Sequence, residues 1–387
     1  MNNMINYHFA GEEQVESPAL IYYLDQIEEN TDKVITMAGG ARRLWPHVKT
    51  HKMAAMVRMQ INRGISRFKC ATISEAQMCA EEGAAYALVS YPLIGPMIAH
   101  FINLRNCYAK TRFIAIGDDL KQLEILGKNA LRARTETGLK TSSDDSRANP
   151  GEFLIDVLID VNLGMNRTGV PLDDLENFYM VSEKIEGLRI IGLHCYDGHL
   201  GISDLEERKK ETKKFTDELL RIKTLMEKRG IKEPVLIMGG TPTFPVHINT
   251  PGVFLSPGTL FVNDNGYALK FQDLSFPAGA AILTRVISHP GPGLFTLDTG
   301  YKAIGSEKPE RGVIVGLSDA KPVAQSEEHW VWTTKNDARP PIGTILYIIP
   351  NHICPTTALY PGVSVVSKGK LVDYWEVTAR NRLLAFH

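Results

Sequence analysis

Short apolar runs alternate with amphipathic stretches between about residue 42 and residue 260 of the chain. Each run has the length of a buried strand, and the stretches between runs repeat apolar residues at helical spacing. Because parallel strands require crossover helices, eight such units predict a (β/α)8 barrel of the TIM type. The eight runs are Arg43–Val48, Phe68–Ile73, Ala87–Tyr91, Phe113–Ile116, Phe153–Asp160, Ile190–Tyr196, Val235–Met238 and Phe254–Ser256.

Two stretches between the runs are clear helix predictions. SEAQMCAEEG begins at Ser74, which we interpret as its N-cap, and LEERKKETKKFTDELLRIKTLMEKRG repeats apolar residues every three or four positions. Residues 127–151, GKNALRARTETGLKTSSDDSRANPG, are polar and poor in large apolar side chains. The second half of that segment is predicted to be an exposed loop.

The pattern changes after Gly266. Short β-branched or aromatic segments such as RGVIVGLSD, TILYIIP and VSVVSKGKLVDYWEV are separated by Gly, Pro and Asp, which is typical of antiparallel strands. SPALIYYLD near the N-terminus has no place in the barrel, and we expect it to join these strands. The predicted fold is therefore α/β, with a barrel over residues 26–264 and a β domain formed by residues 1–25 and 265–387.

Composition narrows the class of partner. The 387 residues include 43 Lys and Arg against 44 Asp and Glu, and no basic block is long enough to follow a nucleic acid backbone. We expect a small-molecule substrate and no nucleic acid. No signal peptide or long apolar span is recognised, which predicts a cytoplasmic protein without a membrane segment. The five cysteines lack paired spacing and are expected to be reduced thiols or ligands.

LWPHVKTHK, at the end of the first predicted strand, contains the first candidate for chemistry. Active sites of barrels lie at this end of the strands. Positive charge from His47, His51 and Lys52 would lower the pKa of Lys49 and free its amine to attack a carbonyl. Lys49 and His47 alternate along the strand, and Lys52 is placed on the following helix. The alternative is that both lysines are solvated loop residues.

Two Gly-Thr steps at the ends of the seventh and eighth predicted strands form a second signal. LIMGGTPTFP contains Gly240 and Thr241, and FLSPGTLF contains Gly258 and Thr259. Glycine lets a phosphate approach backbone N–H groups, and barrels bind phosphate at these two strands. Simple chain reversal is the alternative reading. A reactive lysine together with a phosphate-binding loop points to pyridoxal 5'-phosphate.

The third signal is IIPNHICPTT, in which His352 and Cys354 stand two positions apart on a predicted strand end. A period of two would place both side chains on one face. Imidazole and thiolate together suit a divalent metal, most simply zinc. A core cysteine beside a surface histidine is the alternative.

Taken in order, PHVKTHK, DVNLGMNRTGV, HCYDGH, GGTPT, SPGTLFVND and PNHICPT resemble the D-threonine aldolase and D-serine dehydratase family of pyridoxal phosphate enzymes. The resemblance implies an alanine racemase-like fold, fold type III among these enzymes, and a homodimer. It implies a Schiff base at Lys49 near His47, with Arg167 on the cofactor's ring oxygen and Tyr196 on cofactor or substrate. It further implies phosphate contacts from Gly240, Thr241, Gly258 and Thr259, and a zinc or manganese ion at His352 and Cys354.

The resemblance leaves two reactions of a D-3-hydroxy amino acid open. Loss of the hydroxyl proton would break the Cα–Cβ bond and give glycine and an aldehyde, which is the aldolase reaction. Removal of the α-proton by Lys49 would expel the hydroxyl and give a keto acid and ammonia, the D-serine or D-threo-3-hydroxyaspartate dehydratase reaction. Segments such as LDTGYKAIG and VDYWEVTARNR favour the aldolase, whereas Cys354 favours the dehydratase. A racemase and a non-catalytic pyridoxal phosphate carrier are less favoured.

Overall fold

The computed structural model describes residues 6–136, 154–335, 338–382 and 384. Within these ranges the chain forms two compact units. One contains the residues up to Thr36 together with Lys49–Met56 and Gly258–Asn381, and the other contains Met37–Val48 and Val57–Pro257. The second half of residues 127–151, predicted to be an exposed loop, lies outside the described residues. Within the first half, a helix is described as far as Glu136. No helix in the described ranges has the length and apolar character needed to cross a membrane.

The second unit is built on a parallel sheet. Strand numbers run along the chain, and β1 (Ala19–Tyr23) belongs to the other sheet. The parallel strands follow the order β2-β3-β4-β5-β7-β8-β9, with β6 beside β5. Their bounds are β2 Arg67–Cys70, β3 Tyr86–Val89, β4 Arg112–Gly117, β5 Ile155–Asn162, β6 Val170–Pro171, β7 Leu188–His194, β8 Val235–Met238 and β9 Phe254–Leu255.

The two edges of this sheet are joined by residues 44–47, the closing segment. Leu44 forms a parallel bridge with Leu255 of β9, and His47 forms one with Lys69 of β2. The Trp45 N–H donates to the Leu255 carbonyl at 2.8 Å, and the Lys69 N–H donates to the carbonyl of Pro46 at 2.9 Å. The closing segment thus takes the place of the first predicted strand, and the barrel prediction is confirmed.

The core of the barrel is aromatic and aliphatic. Residues from the closing segment and the strands meet in one buried cluster of Trp45, Leu88, Ile114, Ile116, Leu158, Ile191 and Ile237. Strand β4 contributes Ile114 and Ile116, which lie on one face as the period of two requires. Each Å² of apolar surface that these side chains remove from water on folding stabilises the folded state by about 25 cal/mol.

Most helices follow the barrel strands, whereas α1 and α10 follow strands of the other sheet. The helix bounds are α1 Leu24–Met37, α2 Ala54–Asn62, α3 Ile73–Glu81, α4 Pro96–Cys107, α5 Leu120–Glu136, α6 Leu175–Ser182, α7 Leu205–Lys228, α8 Phe244–His247, α9 Asn265–Lys270 and α10 Ile353–Leu359. The long charged stretch forms α7, which buries Phe215, Leu219, Ile222 and Met226 at helical spacing. Ser74 is not the N-cap of α3. Thr72 is extended and accepts the Glu75 N–H, whereas Ser74 already lies inside the helix.

The first unit carries a mainly antiparallel sheet of order β13-β14-β11-β10-β1-β16-β17, with β15 paired to β10 and β12. Strand β1 lies between β10, to which it is antiparallel, and β16, to which it is parallel. The N-terminal strand therefore sits inside the sheet formed by the C-terminal strands. The remaining bounds are β10 Ala280–Gly291, β11 Leu294–Leu297, β12 Gly312–Ile314, β13 Lys321–Gln325, β14 Trp330–Thr333, β15 Ile345–Pro350, β16 Gly362–Ser367 and β17 Lys370–Glu376.

Gly192 offers a test of the barrel's packing. It lies in β7, where an added Cβ would fall 1.9 Å from the carbonyl oxygen of Val235. We predict that Gly192→Ala lowers the free energy of unfolding by about 2–3 kcal/mol, since the backbones of β7 and β8 must separate. Urea unfolding followed by circular dichroism measures the change. Gly291→Ala, whose nearest neighbour would be Leu294 Cδ1 at 3.6 Å, is the control, and equal unfolding midpoints would contradict the prediction.

Candidate active site

Lys49 lies in a 3₁₀ turn, Val48–Thr50, directly after the closing segment. It is half-buried. Lys52, which the sequence placed on the following helix, instead has φ 55° in the turn that precedes α2. The helix prediction for Lys52 is wrong because the chain reverses before the first turn of α2 begins at Ala54.

His51 does not supply the positive charge that the sequence suggested beside Lys49. Its ring is buried, and its Nδ1 accepts the Met53 N–H at 3.1 Å. Burial, with a smaller contribution from the charge of Lys52, lowers the pKa of His51 to about 3. The imidazole is therefore neutral near pH 7, because a protonated ring would be desolvated without a carboxylate to compensate.

Cys354 lies close to the turn that carries Lys49. Its Sγ is 3.2 Å from Thr50 Oγ1 and 3.6 Å from Thr259 Oγ1. Burial raises the pKa of the Cys354 thiol, but hydrogen bonding to His352 and the charges of His352 and Lys49 outweigh it and leave the pKa lowered. The first unit thus brings together three sequence-predicted residues, Cys354, Thr259 and Lys49. Their surroundings favour the thiolate form of Cys354.

His352 and Cys354 are not on a strand. Strand β15 ends at Pro350, His352 is the N-cap of α10, and Cys354 is the second residue of that helix. The strand prediction is wrong because the strand stops at Pro350, and after the polar residues Asn351 and His352 the chain enters a helix. The helix start is held by Asp264, whose buried carboxylate accepts the Ile353 N–H at 3.1 Å. The two side chains still meet, since a hydrogen bond to the thiolate contributes to the raised pKa of His352.

Glu307 orients the His352 ring. Its carboxylate bonds to His352 Nδ1, which leaves Nε2 as the nitrogen available to a ligand. Burial lowers the pKa of His352, but the bonds to Cys354 and Glu307 outweigh burial and raise it to about 9. The described residues contain no group of three or more His, Cys, Asp or Glu side chains arranged to hold a metal. His352 and Cys354 would therefore leave most coordination positions to water or substrate.

The second unit holds a buried histidine–aspartate pair at the carboxyl end of the barrel strands. His194 Nδ1 lies 2.7 Å from Asp160 Oδ1, and Thr168 donates to the other Asp160 oxygen at 2.7 Å. His194 Nε2 is buried and has no hydrogen-bond partner in the described structure. Nearby, Arg167 Cζ stands 5.1 Å from the centre of the Tyr196 ring. Asp160 and His194 lie in DVNLGMNRTGV and HCYDGH, but their pairing could not be recognised from the sequence.

Asp197 organises the loop that contains Gly240 and Thr241. One of its oxygens accepts the Gly240 N–H at 3.1 Å and the Thr243 hydroxyl at 2.5 Å, and the other lies 2.7 Å from His247 Nε2. A Cβ on Gly240 would lie 2.9 Å from Gly198 Cα, so only glycine fits. Because the Gly240 N–H is bonded to Asp197, phosphate donors from this loop would come from its neighbours.

The other predicted cofactor contacts are placed by short backbone interactions. The His47 N–H donates to the Pro257 carbonyl at 3.0 Å. The closing segment therefore also bonds to the residues just after β9. In the first unit, Gly258 precedes the 3₁₀ turn Thr259–Phe261, and Thr259 is buried. The structure gives each of these residues a defined environment, and their contacts with a cofactor stay a prediction.

Residues 23–263 match the family model of the alanine racemase N-terminal domain. The chain belongs to this family. Residues 279–366 match the serine dehydratase domain model. The match confirms the recognised family, the alanine racemase-like fold and an enzyme of the pyridoxal phosphate-dependent lyase type, and pyridoxal phosphate is implied by family membership.

Several named proteins resemble this family member along nearly their whole length. It is 26% identical over 378 residues to D-threonine aldolase of Arthrobacter sp., covering 95% of this chain and 93% of that one. It is 24% identical over 387 residues to 3-hydroxy-D-aspartate aldolase of Paracoccus denitrificans, covering 96% and 94%. The crystal structure of D-threonine aldolase from Filomicrobium marinum superposes with a TM-score of 0.83 at 25% identity, covering 98% of this chain and 100% of the other.

The buried His51 predicts how stability depends on pH. The folded protein does not protonate this ring until about pH 3, whereas the unfolded chain does so near pH 6.5, so stability is lost as pH falls below 6.5. Between pH 7 and pH 5 this loss amounts to about 2 kcal/mol, which His51→Gln should remove. Urea unfolding at both pH values measures it. The exposed His329→Gln is the control, and an unchanged pH dependence in His51→Gln would contradict the assignment.

Proposed function

We propose that this chain is a pyridoxal phosphate- and divalent-metal-dependent aldolase that cleaves D-threonine and related D-3-hydroxy amino acids to glycine and an aldehyde. The observation that carries the proposal is the contact between Thr50 and Cys354, 3.2 Å apart, beside Lys49. It brings the proposed metal ligands within reach of the proposed cofactor lysine. The similarity to D-threonine aldolase over 95% of the chain supports the same reaction.

The residues present fit pyridoxal phosphate. The Gly240 loop has no room for a side chain, and His194 Nε2 is a buried ring nitrogen without a partner in the described structure. We propose that Lys49 holds the cofactor covalently, that Arg167 and Tyr196 contact its ring with His47 nearby, and that Thr241 and Thr259, with Gly240 and Gly258, surround its phosphate. When bound, the cofactor supplies a ring that accepts the electrons released at the substrate's α-carbon.

His352 and Cys354 also fit a metal. Glu307 holds the His352 ring through Nδ1, and the lowered pKa of Cys354 supplies a thiolate, the form that binds metal. A zinc or manganese ion held there would act as a Lewis acid toward the substrate's 3-hydroxyl. With Nε2 on the metal and Nδ1 on Glu307, His352 would act on the hydroxyl through the metal, and a bound water is the candidate group to take the hydroxyl proton. Thiolate ligation favours zinc over manganese.

A dehydratase is the second candidate, and one specific observation favours it. The thiolate of Cys354 is the ligand type that the family resemblance associates with the dehydratase. The chain is also 23% identical to D-threo-3-hydroxyaspartate dehydratase of Delftia sp.. In that reaction the Lys49 amine would remove the substrate's α-proton. A homodimer remains part of the proposal.

Product analysis separates the two reactions. The purified enzyme, supplied with pyridoxal phosphate and zinc or manganese, is incubated with D-threonine, D-serine or D-threo-3-hydroxyaspartate and followed by proton NMR. We predict glycine and acetaldehyde from D-threonine. Formation of 2-oxobutanoate and ammonia would establish the dehydratase instead. Absence of turnover with all three substrates and both metals would refute the proposed function.

Lys49 is predicted to carry the cofactor. Borohydride reduction of the holoenzyme fixes the cofactor to its lysine, and peptide mapping then locates it. We expect the label on Lys49, which lies in the turn beside Cys354. Lys49→Ala should purify without the yellow colour of the bound cofactor, and added free cofactor should not become covalently attached to this variant. Label on Lys52, three positions further on, would contradict the assignment.

Cys354 is predicted to act in turnover rather than in cofactor binding. Cys354→Ala should lower kcat by about 100-fold or more while keeping the cofactor's absorbance. The variant loses a metal ligand, and the metal would act on the substrate's hydroxyl rather than on the cofactor. Cys354→Asp should shift the metal preference from zinc toward manganese. Cys107→Ala removes an exposed thiol and serves as the control. Activity that persists after exhaustive chelation, with metal content verified, would overturn the metal role.

A further inference from the structure

A cavity of about 430 Å³ lies at the amino ends of the barrel strands, the opposite end from His194 and Gly240. The first residues of five strands line it, namely Arg67, Tyr86, Arg112, Val235 and Phe254. We propose that this cavity is a binding site for a small planar aromatic anion, separate from the catalytic site. Its volume falls in the range of about 300–1,000 Å³ that is typical of small-molecule sites.

The charge of the lining favours an anion. Five basic side chains, Arg43, Arg67, Arg112, Lys223 and Lys232, face two acidic ones, Glu227 and Glu233. Part of this charge is already neutralised. Lys223 pairs with Glu227 at 2.6 Å, and Arg112 pairs with Asp156, which lies behind the lining and also binds Arg189.

The other three basic groups of the lining, Arg43, Arg67 and Lys232, have no carboxylate within salt-bridge distance among the described residues. Arg43 donates to backbone carbonyls, including that of Ile248 at 2.6 Å, and the Arg67 guanidinium donates to the carbonyl of Arg42 at 3.2 Å. Arg67 Cζ lies 4.9 Å from the centre of the Tyr86 ring and 5.3 Å from that of Phe254. The cation therefore lies against two aromatic rings, and its remaining N–H groups can donate hydrogen bonds to an anion.

Trp45 adds a third ring to the lining and is itself only 1% exposed. The Trp45 ring lies 6.0 Å from the Tyr86 ring and 6.1 Å from the Phe254 ring, so the walls are aromatic as well as basic.

These features together set the ligand's chemistry. An anionic group would meet Arg67, and a flat aromatic body would lie along Trp45, Tyr86 and Phe254. An aliphatic anion would leave the aromatic walls without a partner. A neutral aromatic would leave the charge of Arg67 uncompensated. The ligand therefore needs both properties at once.

The test uses 2-naphthoate as the probe and isothermal titration calorimetry on the holoenzyme. We expect saturable binding of 2-naphthoate. Neutral 2-naphthamide and aliphatic cyclohexanecarboxylate should each bind at least about tenfold more weakly. Arg67→Gln should weaken 2-naphthoate binding about tenfold. Arg42→Gln, an exposed arginine outside the lining, should leave the dissociation constant unchanged.

Two further measurements keep the outcome unambiguous. Lys232→Gln changes an exposed side chain and should weaken binding about threefold even if Arg67→Gln does not fold. D-threonine, which is directed to the other end of the barrel, should not compete with 2-naphthoate. Equal binding of 2-naphthoate and 2-naphthamide would overturn the proposal. So would competition by D-threonine together with unchanged 2-naphthoate binding in Lys232→Gln and Arg67→Gln.

Discussion

The barrel depends on the hydrogen bonds of a four-residue segment, Leu44–His47. Its N–H groups at Trp45 and His47 donate to one neighbouring strand region, at Leu255 and Pro257, while the carbonyl of Pro46 accepts from Lys69 on the other side. Proline has no N–H to donate, so it fits this place, where only its carbonyl is used. Without these bonds the sheet would have two open edges. The turn with Lys49 follows this segment directly along the chain.

The strand pattern of the barrel could be predicted because each strand is buried over most of its length. Buried parallel strands are short continuous apolar runs, and the predicted run Val235–Met238 has the bounds of β8. The remaining predicted runs differ from the observed strands by a few residues at their ends. The first run is the least regular, since only isolated bridges and single hydrogen bonds hold it to its neighbours.

The site was less predictable because its properties arise from tertiary contacts. The neutral state of His51 results from burial, and nothing in PHVKTHK reveals that burial. The orientation of His352 depends on Glu307, which is distant along the chain and belongs to no recognisable motif. The start of α10 was missed for a similar reason, because the carboxylate that holds it belongs to Asp264, far earlier in the sequence. A pattern of residue types can suggest ligands but cannot show which groups support them.

Strand β1 has a consequence for the order in which the polypeptide can mature during synthesis. Its partners are β10, which begins at Ala280, and β16, which begins at Gly362. The apolar sequence ALIYY therefore leaves the ribosome long before either neighbour exists, while the barrel strands that follow it can already pair. Until translation is nearly complete, this segment has two unpaired edges and must be shielded from other nascent chains. Loss of the last few dozen residues would leave it permanently without β16, so early termination should yield an aggregating product even though the barrel sequence is intact.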